Sequence, residues 1–171
     1  MTPLIPVTRT YLELLQRADL RGGRIEDDPL LRLARIPAPS VELAQRLYRD
    51  IGTAYHWLDR WKWSPAQWEE WVHRPGFGTW VLTHDGNEAG FFDLHWDESG
   101  ACEIELFGLV RTYHGRGLGK HLLTCAADVA FTVGTKRLWL HTCTLDDPHA
   151  LPNYLARGFV PFKEERYTTE A

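Results

Sequence analysis

The segment Tyr113-His-Gly-Arg-Gly-Leu-Gly-Lys120 is the part of this sequence best equipped for chemistry. Its glycines let a backbone approach a ligand closely, and the apolar-periodic stretch after it predicts that the segment opens a helix. The first amides of a helix have no intrahelical partner and sit at the positive end of its dipole, so such a junction suits phosphate oxygens. Arg116 and Lys120 can add point charges. Spacing narrows the ligand. The pattern G-x-G-x-G is not the G-x-G-x-x-G of a dinucleotide site, and Gly119-Lys120 is followed by His121, not by the Ser or Thr of a P-loop. A plain glycine-rich turn is the alternative.

Glu103 and Glu105 stand two residues apart in a run that reads as a strand. Alternation puts both on one face about 7 Å apart, where like charge raises the pKa of at least one. A general base working near neutral pH needs such a shift, although paired glutamates also make an ordinary solvated face. His141-Thr-Cys143 points two metal-ligating residue types the same way, but no second pair at metal spacing accompanies it, so no metal is expected. Cys125 falls on an apolar stripe, which disfavours a nucleophilic thiol, and the 8 histidines define no triad.

These groups must be positioned by a mixed set of elements. Thr8 to Leu15 reads as a first strand, and Arg21 to Pro39, rich in Gly, Asp and Pro, as irregular connection. Ser40 caps a helix with Glu42 in its first turn and Val41, Leu43, Ala44, Leu47 and Ile51 near helical spacing. Ser64-Pro65 starts a short second helix, with Trp68, Trp71 and Val72 on one face. From Thr79 the period changes to two: Thr79–Thr83, a His84-Asp-Gly-Asn87 turn and Ala89–Trp96 form a hairpin, and Ala101–Val110 follows as the next strand. After the glycine loop, Leu118, Leu122, Cys125, Ala126 and Val129 stripe a helix, and Arg137–Thr144 is a further strand. Asp147-Pro148 opens a last helix ending at Arg157-Gly158, and Phe159 to Thr168 supplies one or two final strands.

A chain of 171 residues is about one domain long. With 19 basic and 23 acidic residues, a net charge of −4 and no basic run, it is not expected to bind nucleic acid. No stretch approaches a membrane span and the N-terminus has no signal-peptide pattern, so a cytoplasmic location is expected. The 3 widely spaced cysteines argue against a disulfide framework. Of the 8 tryptophans, Trp57, Trp61, Trp63, Trp68 and Trp71 are clustered, either as core filling or as an aromatic wall around a ligand.

His114-Gly-Arg-Gly-Leu-Gly119 resembles the Q/R-x-x-G-x-G/A loop of the GNAT superfamily of acetyltransferases, and Glu103–Val110 before it and Leu122-Leu123 after it fit the same pattern. A second block, Asp147-x-x-Ala150-x-x-x-Tyr154-x-x-x-Gly158-Phe159, is similar to that family's N-x-x-A-x-x-x-Y-x-x-x-G-F ending. The resemblance covers residues 79–162 well and the first 75 residues by element order alone. It implies an α/β fold of the α+β type: a mixed, mostly antiparallel central sheet flanked by helices, with a splayed parallel strand pair at the cofactor site. One domain, 1–171, would carry acceptor-side helices and the first strand in 1–75 and the cofactor-binding core in 79–168.

The resemblance further implies acetyl-CoA as co-substrate, its pyrophosphate on the amides of His114, Gly115, Arg116, Gly117, Leu118, Gly119 and Lys120. Its pantetheine would run along Leu109, Val110 and Arg111, with Asp147 also at the cofactor. A backbone amide near Phe107 to Leu109 would polarise the thioester, and Tyr154 would be the acid for the departing thiolate. Glu103 stands where the similar histone-acetylating branch carries its base, with Glu105 and water as alternatives. His114 in place of Gln or Arg introduces an ionisable side chain, although the amides are expected to do the binding. Asp147 replaces the usual Asn, and Pro152 inside the last helix predicts a kink.

An amine acceptor follows, a small molecule in preference to a protein, in a site built from Tyr55, His56, Trp57, Trp61, Trp63, Trp68 and Trp71. With Asp59, Glu69, Glu70 and Asp93 nearby, that wall suits a cationic or aromatic amine. A homodimer is compatible with all of this. The alternatives are a non-enzymatic acyl-CoA-binding or sensing domain and a nucleotide-binding module.

Overall fold

A computed structural model describes residues 1–171. In chain order the elements are β1 (Leu4–Leu14), β2 (Leu31–Arg35), α1 (Val41–Gly52), α2 (Pro65–Val72), β3 (Phe77–His84), β4 (Asn87–Trp96), β5 (Ala101–Leu109), α3 (Leu118–Thr132), β6 (Arg137–Cys143), α4 (Ala150–Ala156) and β7 (Val160–Glu170). The 7 strands form a single sheet in the order β2-β3-β4-β5-β6-β1-β7. Every neighbouring pair is antiparallel except β5 and β6. This is the mixed, mostly antiparallel sheet with one parallel pair that the motif pattern implies.

Local chemistry explains most boundaries. Ser40 Oγ accepts from Leu43 N at 3.1 Å, and Ser64 and Gln67 close a reciprocal capping box with Pro65 at the first helical position. Asp85 and Gly86, both at positive φ, turn the β3–β4 hairpin. Gly158, at φ 101°, ends α4 in a Schellman arrangement in which Phe159 N donates to Tyr154 O and Gly158 N to Leu155 O.

Two expectations change. The stretch Arg21–Pro39 is not all irregular, because Leu31–Arg35 pairs with β3 as the edge strand β2. Pro152 does not disturb a helix interior: α4 begins only at Ala150, with His149 as its cap, so Pro152 lies in the first turn, where its missing N–H has no intrahelical acceptor to lose. Asp147 and Pro148 precede the helix.

The two faces of the sheet are covered differently. On one face α3 packs Leu118, Leu122, Leu123, Ala126 and Ala130 against Leu12, Phe92, Leu94, Ile104, Leu138 and Leu140, with Tyr154 and Phe159 joining them. On the other, Leu47 and Ile51 of α1 pack on Val81 and Phe91.

Between these layers the sheet opens. The parallel pairing of β5 with β6 extends only over Ala101–Glu103 and Arg137–Trp139. Directly beyond it, Asp93 pairs with Leu106 and Leu94 with Ile104, so Glu105 is the extra residue of a β-bulge. A bulge bends its strand, and here β5 turns away while β6 stays paired with β1 through Cys143. The gap between β5 and β6 follows from that divergence.

Candidate active site

The gap is part of a cavity of about 1430 Å³ that reaches from the glycine loop to the tryptophan-rich segment. Tyr154 lies with the α3 layer and Glu103 on the opposite face, since its neighbours Cys102 and Ile104 point into the α3 core. Both border this cavity, which therefore passes through the sheet where the strands diverge.

At one end lies the loop. Gly115 and Gly117 hold φ of 77° and 75° with open space around each missing Cβ, so the requirement for glycine is conformational. Gly117 caps α3, and the first intrahelical bond from this end is His121 N to Gly117 O. The Leu118, Gly119 and Lys120 amides are thus left for an acceptor from outside. His114, Gly115, Gly117, Gly119 and Lys120 border the cavity, whereas Leu118 buries its side chain in the core and Arg116 turns over the Tyr113 ring. Asn153 Nδ2 donates to Gly119 O at 3.1 Å and ties α4 to this turn.

His114 does more than occupy the turn. Its Nε2 lies 2.5 Å from the Tyr55 hydroxyl, the two rings stack at 6.0 Å and 12°, and its Nδ1 lies 3.7 Å from Asp147 Oδ2. Burial works to raise the Asp147 pKa, but the His149 amide and ring, with His114, outweigh it and hold the carboxyl below its ordinary range. Burial pushes Tyr55 up to about 12, which keeps its hydroxyl protonated.

Along β5, Val110 N donates to Ala89 O at 2.8 Å and Val110 O accepts from Tyr113 N at 2.9 Å. Both backbone groups of Val110 are therefore engaged, contrary to its expected place among the pantetheine contacts. Alternation turns the N–H and C=O of Leu109 toward the gap, and the Tyr55 hydroxyl stands 3.5 Å from Leu109 O. Arg111 follows in a 3-10 turn, its C=O accepting from His114 N, and does not border the cavity.

In the middle stands Tyr154, 6% exposed, packed against Phe107 and Phe159, with no protein partner for its hydroxyl. Burial, with Asp146 second, raises its pKa.

Beyond the sheet are the carboxylates. Burial, then the charge of Glu105, pushes Glu103 up to about 7 against the pull of Arg74 and Arg60. Glu103 Oε1 lies 4.0 Å from His141 Nε2, and burial lowers the pKa of that imidazole. Glu105 shares the face, as expected, but both its oxygens are taken by Arg74, at 3.0 and 2.6 Å. Bidentate pairing commits both of its oxygens to Arg74, whereas the Glu103 carboxylate makes no hydrogen bond within the chain. Asp93, also expected near the acceptor, is buried, accepts from Thr79 at 2.7 Å and is pushed up to about 7 by burial.

The aromatic wall divides. Tyr55, His56, Trp57, Trp61 and Trp71 border the cavity, while Trp68 is buried against Tyr48 and Trp63 stacks on its edge. Glu69 and Glu70 are exposed and outside the cavity. Arg60 and Asn153 were not singled out from the sequence, while Tyr55 was read only as part of the aromatic wall and His141 only as a weak metal ligand. Only the spacing of Asn153 from the glycine block could have singled any of them out.

No group of three or more His, Cys, Asp or Glu side chains is arranged to hold a metal, and no helix is long and apolar enough to cross a membrane. Free helix amides at one end, an unpaired strand edge in the middle, and a buried tyrosine and a carboxylate on opposite faces of the sheet thus border one cavity.

Comparison with known proteins agrees. The profile of the Acetyltransferase (GNAT) family matches residues 41–159, and the chain belongs to that family. The uncharacterized N-acetyltransferase YjgM of Escherichia coli is 32% identical over 72 residues, 40% of this chain and 43% of that protein, so the match spans less than half of either. A GCN5-related N-acetyltransferase from Kribbella flavida shares the fold with a TM-score of 0.64 at 23% identity, over 96% of this chain and 58% of its own. An aminoglycoside acetyltransferase, meta-AAC0020, from an uncultured soil metagenomic sample superposes with a TM-score of 0.62 at 14% identity, over 77% of this chain and 90% of its own.

Proposed function

We propose that this protein is an acetyl-CoA-dependent N-acetyltransferase that acts on a primary amine by direct attack in a ternary complex, within one domain spanning 1–171. The reading is carried by one observation: Tyr154 and Glu103 lie on opposite faces of the sheet yet border one cavity at the β5–β6 gap. Bound acetyl-CoA supplies an acetyl group activated as a thioester. Its pyrophosphate would rest on the amides of Gly115 to Lys120, with His114 and Asp147 alongside. Its pantetheine would pair with the Leu109 edge and displace the Tyr55 hydroxyl from the Leu109 carbonyl.

The Leu109 N–H is then placed to donate to the carbonyl oxygen as negative charge develops there. Glu103, ionised above pH 7, takes the proton that the attacking amine must lose. The amine nitrogen bonds to the carbonyl carbon as the carbon–sulfur bond breaks, and the Tyr154 hydroxyl protonates the sulfur. The products are the acetamide and CoA thiol, and the proton held by Glu103 returns through solvent to the Tyr154 phenolate. Burial supports this role for Tyr154, because a buried phenol stays protonated until an anion forms beside it.

Thiol release from acetyl-CoA over a panel of primary amines tests the proposal. Wild-type protein should turn over at least one class, and Glu103→Gln should lower kcat about 10²-fold with acetyl-CoA affinity unchanged. CoA binding without thiol release from any amine would instead favour an acyl-CoA sensor.

A further inference from the structure

One buried guanidinium in the cavity wall has no hydrogen-bond acceptor in the protein. Arg60 is 8% exposed, its guanidinium makes no hydrogen bond or ion pair within the chain, and its Nη1 is fully enclosed without an acceptor. Aromatic rings hold it: the centroids of Trp71, Trp63 and Tyr48 lie 3.7, 4.9 and 5.6 Å from its Cζ. Burial there depresses its pKa. Undonated N–H groups on a buried cation cost free energy, so native proteins seldom leave them without an acceptor.

No nearby carboxylate pairs with Arg60, and three of them have other partners. Asp59 accepts from the Tyr48 hydroxyl at 2.6 Å, Asp93 from Thr79 at 2.7 Å, and Glu105 from Arg74 through both oxygens. A second donor stands beside the first: the Nε1–H of Trp71 is also buried without an acceptor. Arg60, Trp71 and Glu103 border the same cavity.

We infer that Arg60 and the Trp71 indole N–H receive a carboxylate on the acceptor, and that the acceptor is a free amino acid or a similar zwitterion with its amine toward Glu103. The inference rests on the reading above of the Glu103 end as the acceptor end. A planar guanidinium presents paired N–H groups that match a carboxylate, and the indole supplies one more. The cationic acceptor suggested by the aromatic wall and its carboxylates fits less well. Of those carboxylates Glu69 and Glu70 lie outside the cavity, and a second cation would sit beside Arg60 with its donors still unpaired.

Calorimetric binding to the CoA-saturated protein tests this without turnover, using L-phenylalanine against phenethylamine, L-lysine against cadaverine and L-leucine against 3-methylbutylamine. The carboxylated member of at least one pair should bind tenfold or more tightly. Trp71→Phe, which keeps a ring and removes the donor, should reduce that preference several-fold, and Arg60→Gln should abolish it. Should Arg60→Gln fail to fold by circular dichroism, Trp71→Phe carries the test. Equal affinity within every pair, no binding by any pair, or a preference untouched by Trp71→Phe overturns the inference. Thiol release separates the two readings. Turnover of amines regardless of a carboxylate sinks the Arg60 site and leaves acetyl transfer standing, whereas carboxylate-selective binding without thiol release does the reverse.

Discussion

Tyr154 is buried and Glu103 half-buried, and in the proposed mechanism desolvation equips the two for opposite tasks. Desolvation penalises the charged form of each. For the phenol this fixes the protonated state across the working pH range, and for the carboxyl it brings the switch to about 7. A base with that pKa gives activity that rises as pH increases through about 7, since only the ionised carboxylate accepts a proton. On the proposed mechanism, Tyr154→Phe removes the acid but leaves the base. We expect it to lower kcat about ten- to a hundredfold, with acetyl-CoA KM little changed and the rising limb near pH 7 retained. Glu103→Gln should lose that limb. A pH–rate series on both variants checks the division, and a limb persisting in Glu103→Gln would assign the titration elsewhere, to Asp93 or His141. Neither phenotype should be mimicked by Glu105→Gln through loss of a base. Its charge is held by Arg74, and its removal would act by freeing that guanidinium and easing Glu103 downward.

At the scale of elements, the glycine loop shows how one spacing carries two different requirements. Gly117 sits at φ 75° as the cap of α3, whereas Gly119 lies inside the first turn without a positive φ, and a Cβ there would meet Asn153 and Leu109 at ordinary contact distances of 3.6 and 3.8 Å. Gly117→Ala should therefore destabilise by about 1 kcal/mol, through left-handed strain, and weaken CoA binding as the Leu118 amide shifts. Gly119→Ala should stabilise by about 0.5–1 kcal/mol, because alanine is the better helix former. Opposite shifts in thermal midpoint between the two variants check this. Such requirements were legible in the sequence because they are local: the caps at Ser40 and Ser64, the Asp85-Gly86 turn and the Gly158 stop were all readable from residue type and spacing. The edge strand β2 was not, because Leu31 and Leu33 alternate over only five residues amid turn formers. The His114–Tyr55 bridge was not either, since it joins positions 59 residues apart. The start of α4 was misplaced for a similar reason. Asp147 carries a cap-like side chain, but its carboxylate holds His149 and leaves the helix to begin at Ala150.

For the whole molecule, the pairing of β1 governs both stability and the site. The β-branched and aromatic residues of β1 declared a strand but not its neighbours. In the fold it lies between β6 and β7, with Arg9 opposite Cys143 on one side and Glu165 on the other. That position lets β6 keep a full partner on one edge while it parts from β5 on the other, so the wall of the gap stays rigid where the cavity needs it open. Pairings between the two ends of a chain form late, because loop closure must precede them. Leu12, wholly buried against Leu138 and Leu140, reports on this junction. We expect Leu12→Ala to cost about 3 kcal/mol in urea unfolding, within the range for a leucine truncated in a closed core. Removing residues 1–15 should have a larger consequence. β6 and β7 would lose their shared partner, exposing two unpaired edges and the α3 core beneath them. Far-UV circular dichroism should then show no cooperative thermal transition. If the shortened chain still melts cooperatively and binds CoA, then β7 can take the place of β1 beside β6, and the wall of the gap does not depend on the first strand.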